Sequence, residues 1–210
     1  MATYSDIRYS GILPPESTTS AQVGTSVQQL IKTITVSSST STVSFVHGSS
    51  SVVFDSTYKS YLFKIIELHP DNDDGARLGF TGTTDGSNFA AITNNSNYVQ
   101  CVKEENDGYE SLQYDGYYDI ADGTGIIPLW HDIGNDNDQN ASCELWIGNP
   151  SQTNFFKPFY SHSSCTQRAD SVNNPRMSGV LQTTSAVTGI RFALNTGNID
   201  SATFKLYGIK

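Results

Sequence analysis

The sequence has few charged residues, few basic residues and no long apolar run. Charged side chains make up 16% of the 210 residues, and the net charge is −9 because only 12 residues are lysine or arginine. Binding to a nucleic-acid backbone needs clustered basic residues, and here they are spread along the chain. Nucleic acid is therefore not an expected partner. No apolar run approaches the roughly 20 residues of a membrane-spanning helix, so we do not expect membrane insertion.

Cysteine is also scarce, since the chain has only Cys101, Cys143 and Cys165. An odd and sparse set does not make a disulfide framework, and without a CxxC pair a zinc site is not expected. We expect small thiols that are buried or half-buried. The first residues, MATYSDIRYSGILPPES, lack the basic and apolar regions of a signal peptide. We therefore expect the protein to fold in a cytoplasm.

The sequence does have a repeated alternation of apolar and polar residues. The clearest example is the C-terminal stretch SAVTGIRFALNTGNIDSATFKLYGIK, which contains two such runs. The apolar residues expected to share one face in each run are Ile190, Phe192 and Leu194, then Phe204 and Leu206. Arg191 points the other way, and so do Thr203, Lys205 and Tyr207. A period of two indicates half-buried strands, and Asn195-Thr196-Gly197-Asn198 suits a turn. The pattern predicts a hairpin that closes a β-sandwich.

Earlier parts of the chain show the same pattern in short runs separated by turn residues. The other predicted strands cover residues 30–36, 43–46, 61–68, 77–83, 98–102, 129–133, 142–147, 155–159 and 177–181. The run 129–133 is expected to pair with 142–147. Residues 61–68 are apolar at almost every position, which predicts a central strand covered on both faces, with Tyr61, Phe63 and Ile65 on one and Leu62, Ile66 and Leu68 on the other. The fold class is all-β: one jelly-roll-like β-sandwich of about ten antiparallel strands.

Two segments differ from this pattern. Residues 1–25 contain Pro14-Pro15 and many serines and threonines, which predicts an extended arm before a sandwich domain at 26–210. Such an arm serves assembly by lying on a neighbour, or it is a frayed terminus. The stretch 103–125 is acidic and rich in tyrosine, and it is predicted to be a loop.

Residue types that carry chemistry are present, but not in the spacing of a catalytic or metal motif. His131 is next to Asp132, yet neighbouring strand residues face opposite sides, so a catalytic pair is not expected. Asp136, Asp138 and Asn140 begin like a calcium loop, but Ala141 replaces the required glycine and no closing glutamate follows. The tract 71–75 fails in the same way. The sequence predicts no catalytic residue, no metal ligand and no cofactor, although an ion site built from loops stays open.

Four tyrosines among aspartates and glycines form the most suggestive surface feature: Tyr109, Tyr114, Tyr117 and Tyr118. An exposed tyrosine offers a flat apolar ring and a hydroxyl, which suits a protein interface or stacking on a sugar. The alternative is that these rings fold back onto the sandwich as a lid.

Three stretches resemble virion structural and tail-fibre-like proteins of tailed bacteriophages, many of them marine. They are LIKTITVSSSTSTVSFVHGSSSVVFDSTYKSYLFKIIELHP, GNDNDQNASCELWIGNPSQTNFFKPF and MSGVLQTTSAVTGIRFALNTGNIDSATFKLYGIK. The resemblance covers well over half of the chain, and the closing FKLYGIK is its most specific part. It implies a β-sandwich or jelly-roll module on the phage particle, without enzyme activity. It also implies virion proteins of the capsid or tail as partners, and a homo-oligomer, in particular a homotrimer.

The leading hypothesis is a non-enzymatic virion protein, either a head decoration or a component of a tail or head fibre. The first alternative is a receptor-binding module that recognises a host surface glycan through Tyr114, Tyr117 and Tyr118. The second is a polysaccharide depolymerase that uses paired carboxylates. Its candidate acids are Glu104, Glu105, Asp107 and Glu110.

Overall fold

The computed structural model describes residues 28–72 and 75–210 of the chain. In these residues, fourteen strands form two antiparallel sheets that pack together. The predicted all-β sandwich is confirmed, with more strands than the ten or so expected. The predicted arm, residues 1–25, lies outside the described residues, and so do residues 26 and 27 of the predicted domain. Nowhere in the described ranges does a helix have the length and apolar character needed to traverse a bilayer.

The larger sheet contains ten strands and the smaller one four, numbered here in chain order. The strands of the larger sheet are β1 (Gln28–Val36), β3 (Ser60–Pro70), β5 (Asn94–Glu104), β6 (Glu110–Tyr114), β7 (Ile120–Gly123), β9 (Ala141–Gly148), β10 (Lys157–Gln167), β11 (Ser171–Asn173), β12 (Arg176–Leu181) and β14 (Ile199–Ile209). Those of the smaller sheet are β2 (Thr42–Val46), β4 (Leu78–Thr83), β8 (Ile127–Pro128) and β13 (Gly189–Leu194).

The order of strands in the larger sheet begins β1-β14-β3-β9-β10. β11 and β12 share the next position, because each pairs with β10 on one side and with β5 on the other. β6 and β7 pair with β5 as well. The smaller sheet has the order β2-β13-β4-β8.

The predicted C-terminal hairpin is wrong, although its faces are right. β13 pairs with β2 and β4, whereas β14 pairs with β1 and β3, so the two runs lie in different sheets. Phe192 and Leu206 are buried, while Arg191 alternates with buried neighbours. The connection 195–198 therefore crosses from one sheet to the other. Gly197 takes a φ of 68° there, which glycine adopts without steric cost.

β3 is a central strand, but its outer face is not covered as predicted. Leu62 and Ile66 are half-buried on that face, so the described residues supply one layer of packing and not the second. The alternation assigns Leu68 to the same face, and this is wrong because Leu68 is 0% exposed. A bulge between Ile65 and Leu68 inserts Glu67 with a φ of 51°. The extra residue returns the leucine to the interior.

Three further boundaries differ from the prediction. Residues 129–133 do not pair with β9; only Ile133 forms a bridge, and its partner is Gln167. The expected loop 103–125 contains β6 and β7. The predicted strand at 155–159 begins at Lys157, because Phe155 and Phe156 are exposed ahead of it.

Phenylalanine rings fill the interior where the smaller sheet meets the larger one. Phe192 of β13 contacts Phe63 of β3 and Phe204 of β14, with ring centroids 5.3 and 5.4 Å apart. Phe80 of β4 meets Phe159 of β10 edge to face, with centroids 5.1 Å apart. Such tilted and edge-on contacts between buried rings are the favoured geometries of aromatic pairs. They hold the two sheets together across the middle of the sandwich.

Candidate functional surfaces

The four predicted tyrosines do not form one site. Tyr109 is half exposed in the turn between β5 and β6, and Tyr114 ends β6 with 59% exposure. Tyr117 is the most exposed of them, at 77%. Tyr118 instead packs against the interior. The lid alternative therefore describes Tyr118, whereas the other three rings are open to contact.

Tyr118 is held between a histidine and an arginine. Its ring stacks on that of His131, with centroids 4.1 Å apart and planes 15° apart. The guanidinium of Arg77 lies 5.4 Å from the Tyr118 centroid and 5.8 Å from that of Tyr117. Burial raises the pKa of Tyr118 to about 12. Sequence reasoning missed both partners, because they come from segments before and after the tyrosine loop.

His131 and Asp132 come closer together than the prediction allows. The pair is not in a strand, and Asp132 has a φ of 53°. This turn brings Asp132 Oδ2 to 3.7 Å from His131 Nδ1. Contact with the imidazole holds the pKa of the Asp132 carboxyl below its ordinary value. The expectation that the two side chains diverge is wrong, because it assumed extended backbone.

A hydrogen-bonded network orients the ring of this histidine. Gln100 Nε2 donates to Asp115 Oδ2 at 2.7 Å, so Gln100 Oε1 must act as an acceptor. That oxygen lies 2.7 Å from His131 Nε2 and 2.9 Å from Asn173 Nδ2. The N–H group at His131 Nε2 therefore donates the hydrogen bond to Gln100 Oε1. The imidazole is 7% exposed and lies under Tyr118. The network therefore connects loop residues to strand residues in the interior of the protein.

The outer face of the larger sheet carries an uninterrupted row of cross-strand neighbours over seven strands. In order, the row is Leu30, Tyr207, Leu62, Trp146, Tyr160, Ser178 and Asn97. Its first five members are apolar or aromatic and its last two are neutral polar residues. Leu30 is 47% exposed and Tyr160 is 54% exposed. An adjacent row carries the ion pair of Lys64 and Glu144, whose atoms Nζ and Oε1 are 2.8 Å apart.

Trp146 and Tyr160 form the centre of this row. Their rings are nearly parallel, with an interplanar angle of 22° and centroids 5.2 Å apart. Gly148, two residues along the same strand, leaves the space that the indole uses, because a Cβ there would lie 2.6 Å from Trp146 Cη2. Tyr114 and Asn97 border the same shallow pocket. Of the predicted tyrosines, Tyr114 is thus the one that reaches this aromatic surface.

The candidate acids of the depolymerase alternative lie at the exposed turn between β5 and β6. Lys103 Nζ contacts Asp107, and it lies 3.1 Å from Glu110 Oε2. Two of the four carboxylates are therefore partly neutralised by a lysine that is itself half exposed. In the ranges 28–72 and 75–210, no group of three or more histidine, cysteine or acidic side chains has the arrangement of a metal site. The predicted tract 71–75 includes residues 73 and 74, which are outside these ranges.

The three thiols are free, and the prediction of their burial is right for two of them. Cys143 and Cys165 are buried in the interior, and burial raises the pKa of each thiol to about 12. Cys101 is exposed on the outer side of β5, so for this residue the prediction is wrong.

Comparisons of the chain with protein-family models, with curated proteins and with solved structures found no match.

Proposed function

We propose that this chain is a non-enzymatic structural protein of a tailed-bacteriophage particle. It decorates the head or forms part of a tail or head fibre, and it acts by assembly and adhesion. The phage context comes from the resemblance of three sequence stretches. The observation that supports a role in adhesion is the row of cross-strand neighbours over seven strands of the larger sheet.

This row has the composition of a protein contact surface. Aromatic residues are enriched in interfaces, and neutral polar residues at the rim make hydrogen bonds without the desolvation cost of charges. Leu30, Tyr207, Leu62, Trp146 and Tyr160 present adjacent apolar groups on one face. Contiguous apolar surface of this kind marks interaction sites on soluble proteins. We assign the face to contact with further copies of this chain in a homotrimer, and then with capsid or tail proteins.

Tyr160→Ser combined with Leu62→Ser tests the assignment. Both changes remove apolar surface from the outer face and leave the buried strand residues in place. The expected result is a shift from trimer to monomer in light scattering after size exclusion. Tyr117→Ser is the matched control, because it removes a more exposed ring that is not on this face. A monomeric wild-type chain, or a double variant that still forms trimers, would contradict the assignment.

An experiment on purified phage particles is needed to test where the protein is located. Gold-labelled antibody against the chain is expected to mark the head or tail of purified phage in electron micrographs. Deletion of residues 1–25 is expected to reduce incorporation if that segment docks the module. Particles without label, or full incorporation of the truncated chain, would reject these two parts of the proposal respectively.

A second candidate function is recognition of a host glycan, and the Trp146–Tyr160 pair favours it. Flat aromatic surface suits stacking on a sugar ring, and nearby Asn97 and Ser178 offer hydrogen bonds; Asn97 Oδ1 already accepts from Ser178 Oγ at 3.1 Å. A glycan array with wild type and with Trp146→Ala tests it. Gly148→Ala is a second variant, which displaces the indole without deleting it. Lack of binding by the wild type would remove this candidate.

A further inference from the structure

A groove on the outer face of the smaller sheet contains an arginine with an unused hydrogen-bonding edge. Arg191 lies in the middle of β13, between Ser44 of β2 and Thr81 of β4. Its Nε donates to Ser44 Oγ at 3.0 Å, and its Cζ lies 3.8 Å from the centre of the Phe89 ring. Within the described part of the chain, no carboxylate forms an ion pair with this guanidinium, and its two Nη groups donate no hydrogen bond.

The loop that positions the guanidinium is held in place by hydrogen bonds to one carboxylate oxygen. Asp85 Oδ1 accepts hydrogen bonds from Thr83 Oγ1 and from the backbone N–H groups of Ser87 and Asn88, each at 2.8 Å. These bonds hold the pKa of Asp85 well below its ordinary value. The loop then places Phe89, which is only 6% exposed although it lies outside the main interior. Arg191 is thus fixed before any ligand arrives.

The groove has room for a small molecule beside Arg191. Its volume is about 550 Å³, and it lies between the loop that carries Phe89 and residues 124–126. Small residues, Gly79 and Ala193, form part of its lining. Thr81 adds a hydroxyl, and Ile126, which is 38% exposed, adds an apolar wall. This volume falls within the range of small-molecule sites, roughly 300–1,000 Å³.

We propose that this groove binds a carboxylate-bearing sugar, of the uronic acid or sialic acid class. The free edge of Arg191 matches a planar carboxylate, because a guanidinium can donate two parallel hydrogen bonds to its oxygens. The Thr81 hydroxyl pairs with a sugar hydroxyl, and Ile126 contacts the C–H face of the ring. The net charge of −9 makes the rest of the surface unfavourable for an anion, so the arginine decides where the ligand binds. The site is on the sheet opposite the proposed contact face and does not depend on that proposal.

Isothermal titration of the full chain with D-glucuronate and with N-acetylneuraminate tests the proposal, with D-glucose and acetate as partial ligands. The variants are Arg191→Gln, which removes the charge, and Arg191→Lys, which keeps the charge but loses the planar fork. Arg176→Gln is the matched control, because Arg176 is an exposed arginine on the outer face of the other sheet. Circular dichroism melting checks that each variant is folded.

We expect at least one of the two acidic sugars to bind, with glucose and acetate at least tenfold weaker. Arg191→Gln is expected to lower the affinity about tenfold or more, since hydrogen bonds between charged groups are the strong ones. Arg191→Lys should fall between Gln and wild type, and Arg176→Gln should match wild type. Three results would overturn the proposal: no binding of either acid at millimolar concentration, equal binding of glucose or acetate, or equal loss in the Arg176 control.

Discussion

The interior of the sandwich has an aromatic half and a polar half, and they are built differently. In the aromatic half, the two sheets are in direct contact, because Phe45, Phe80 and Phe192 of the smaller sheet pack against the larger sheet. In the polar half, the inner side of β5, β10 and β11 carries amides and hydroxyls. Loops cover that half: the segment with Trp130 and His131, and the loop with Tyr118.

This difference shows how a sequence rich in serine, threonine and asparagine can still make a stable fold. Rings in the aromatic half gain burial and packing energy without polar partners. A polar group in the other half stabilises the fold only where it has a partner, because an unmatched buried donor costs roughly 1–3 kcal/mol. Gln100 is matched on both sides of its amide, whereas Asn94 Oδ1 and Ser161 Oγ have no hydrogen-bond partner among the described residues. The first half is expected to tolerate exchanges of similar shape. The second should be sensitive to the loss of single atoms.

The largest expected effect is in the aromatic half. Phe192→Ala removes a fully buried ring that contacts Phe45, Phe63 and Phe204. The free energy of unfolding should fall by about 3–5 kcal/mol, the usual cost of such a cavity. Urea unfolding followed by fluorescence measures it. Phe192→Leu is the matched control and should cost much less; a loss below 1 kcal/mol for the alanine variant would contradict this account of the core.

Gln100→Ala tests the polar half with a single change. The substitution leaves His131 Nε2, Asn173 Nδ2 and Asp115 without the amide that joins them. Loss of these bonds should lower the free energy of unfolding by about 2–3 kcal/mol. Gln113, an exposed glutamine opposite Gln100 on β6, provides the control variant Gln113→Ala. If both variants lower the free energy of unfolding by the same small amount, the network contributes little to stability.

Tyr118→Ala examines the loop that covers the polar half. It removes a ring stacked on His131 and should cost about 1–2 kcal/mol, since an aromatic pair adds to the burial of the ring. Tyr117→Ala, one residue away and 77% exposed, should change stability by less than about 0.5 kcal/mol. Urea unfolding distinguishes them. Similar values for the two tyrosines would place Tyr118 among the open surface rings.

The smallest effect of a single substitution concerns the buried thiols of β9 and β10. Burial raises the pKa of Cys143 and of Cys165 from 9.0 to about 12. The folded state holds these protons more tightly than the unfolded state does. The stability that the two thiols contribute is therefore complete below pH 9 and is lost as the pH rises towards 12. The expected loss is about 1 kcal/mol for each thiol at pH 10.

Urea midpoints between pH 8 and pH 10 test this dependence. Cys165→Ala should flatten the decline, whereas Cys101→Ala, at the exposed cysteine, should leave it unchanged. An identical slope in all three proteins would show that the buried thiols do not titrate during unfolding.

Alternation predicted the fold class and the inward residues of most strands, because burial on one face imposes a period of two. It did not predict which strands pair. The sequence 195–198 suits a tight turn whether the chain returns to the same sheet or crosses to the other one, so the hairpin prediction failed. β6 and β7 were missed because most of their side chains are exposed, and they therefore lack the alternation.

The candidate surfaces were only partly predictable, because their residues meet across long stretches of sequence. Arg191 was correctly assigned to the outer face, but its partner Ser44 is 147 residues away. Trp146 and Tyr160 are joined by the register of β9 and β10, which sequence spacing does not fix. Asp132 approaches His131 only through its φ of 53°. In each case the deciding quantity is a pairing register or a backbone angle.

The position of β14 has a mechanical consequence. This strand is 11 residues long and lies between β1 and β3, antiparallel to both. Its hydrogen bonds run perpendicular to the strand, so a pull along it loads many of them in shear at once instead of opening them one by one. Stretching a single molecule from this end should therefore require far more force than peeling β6 from β5.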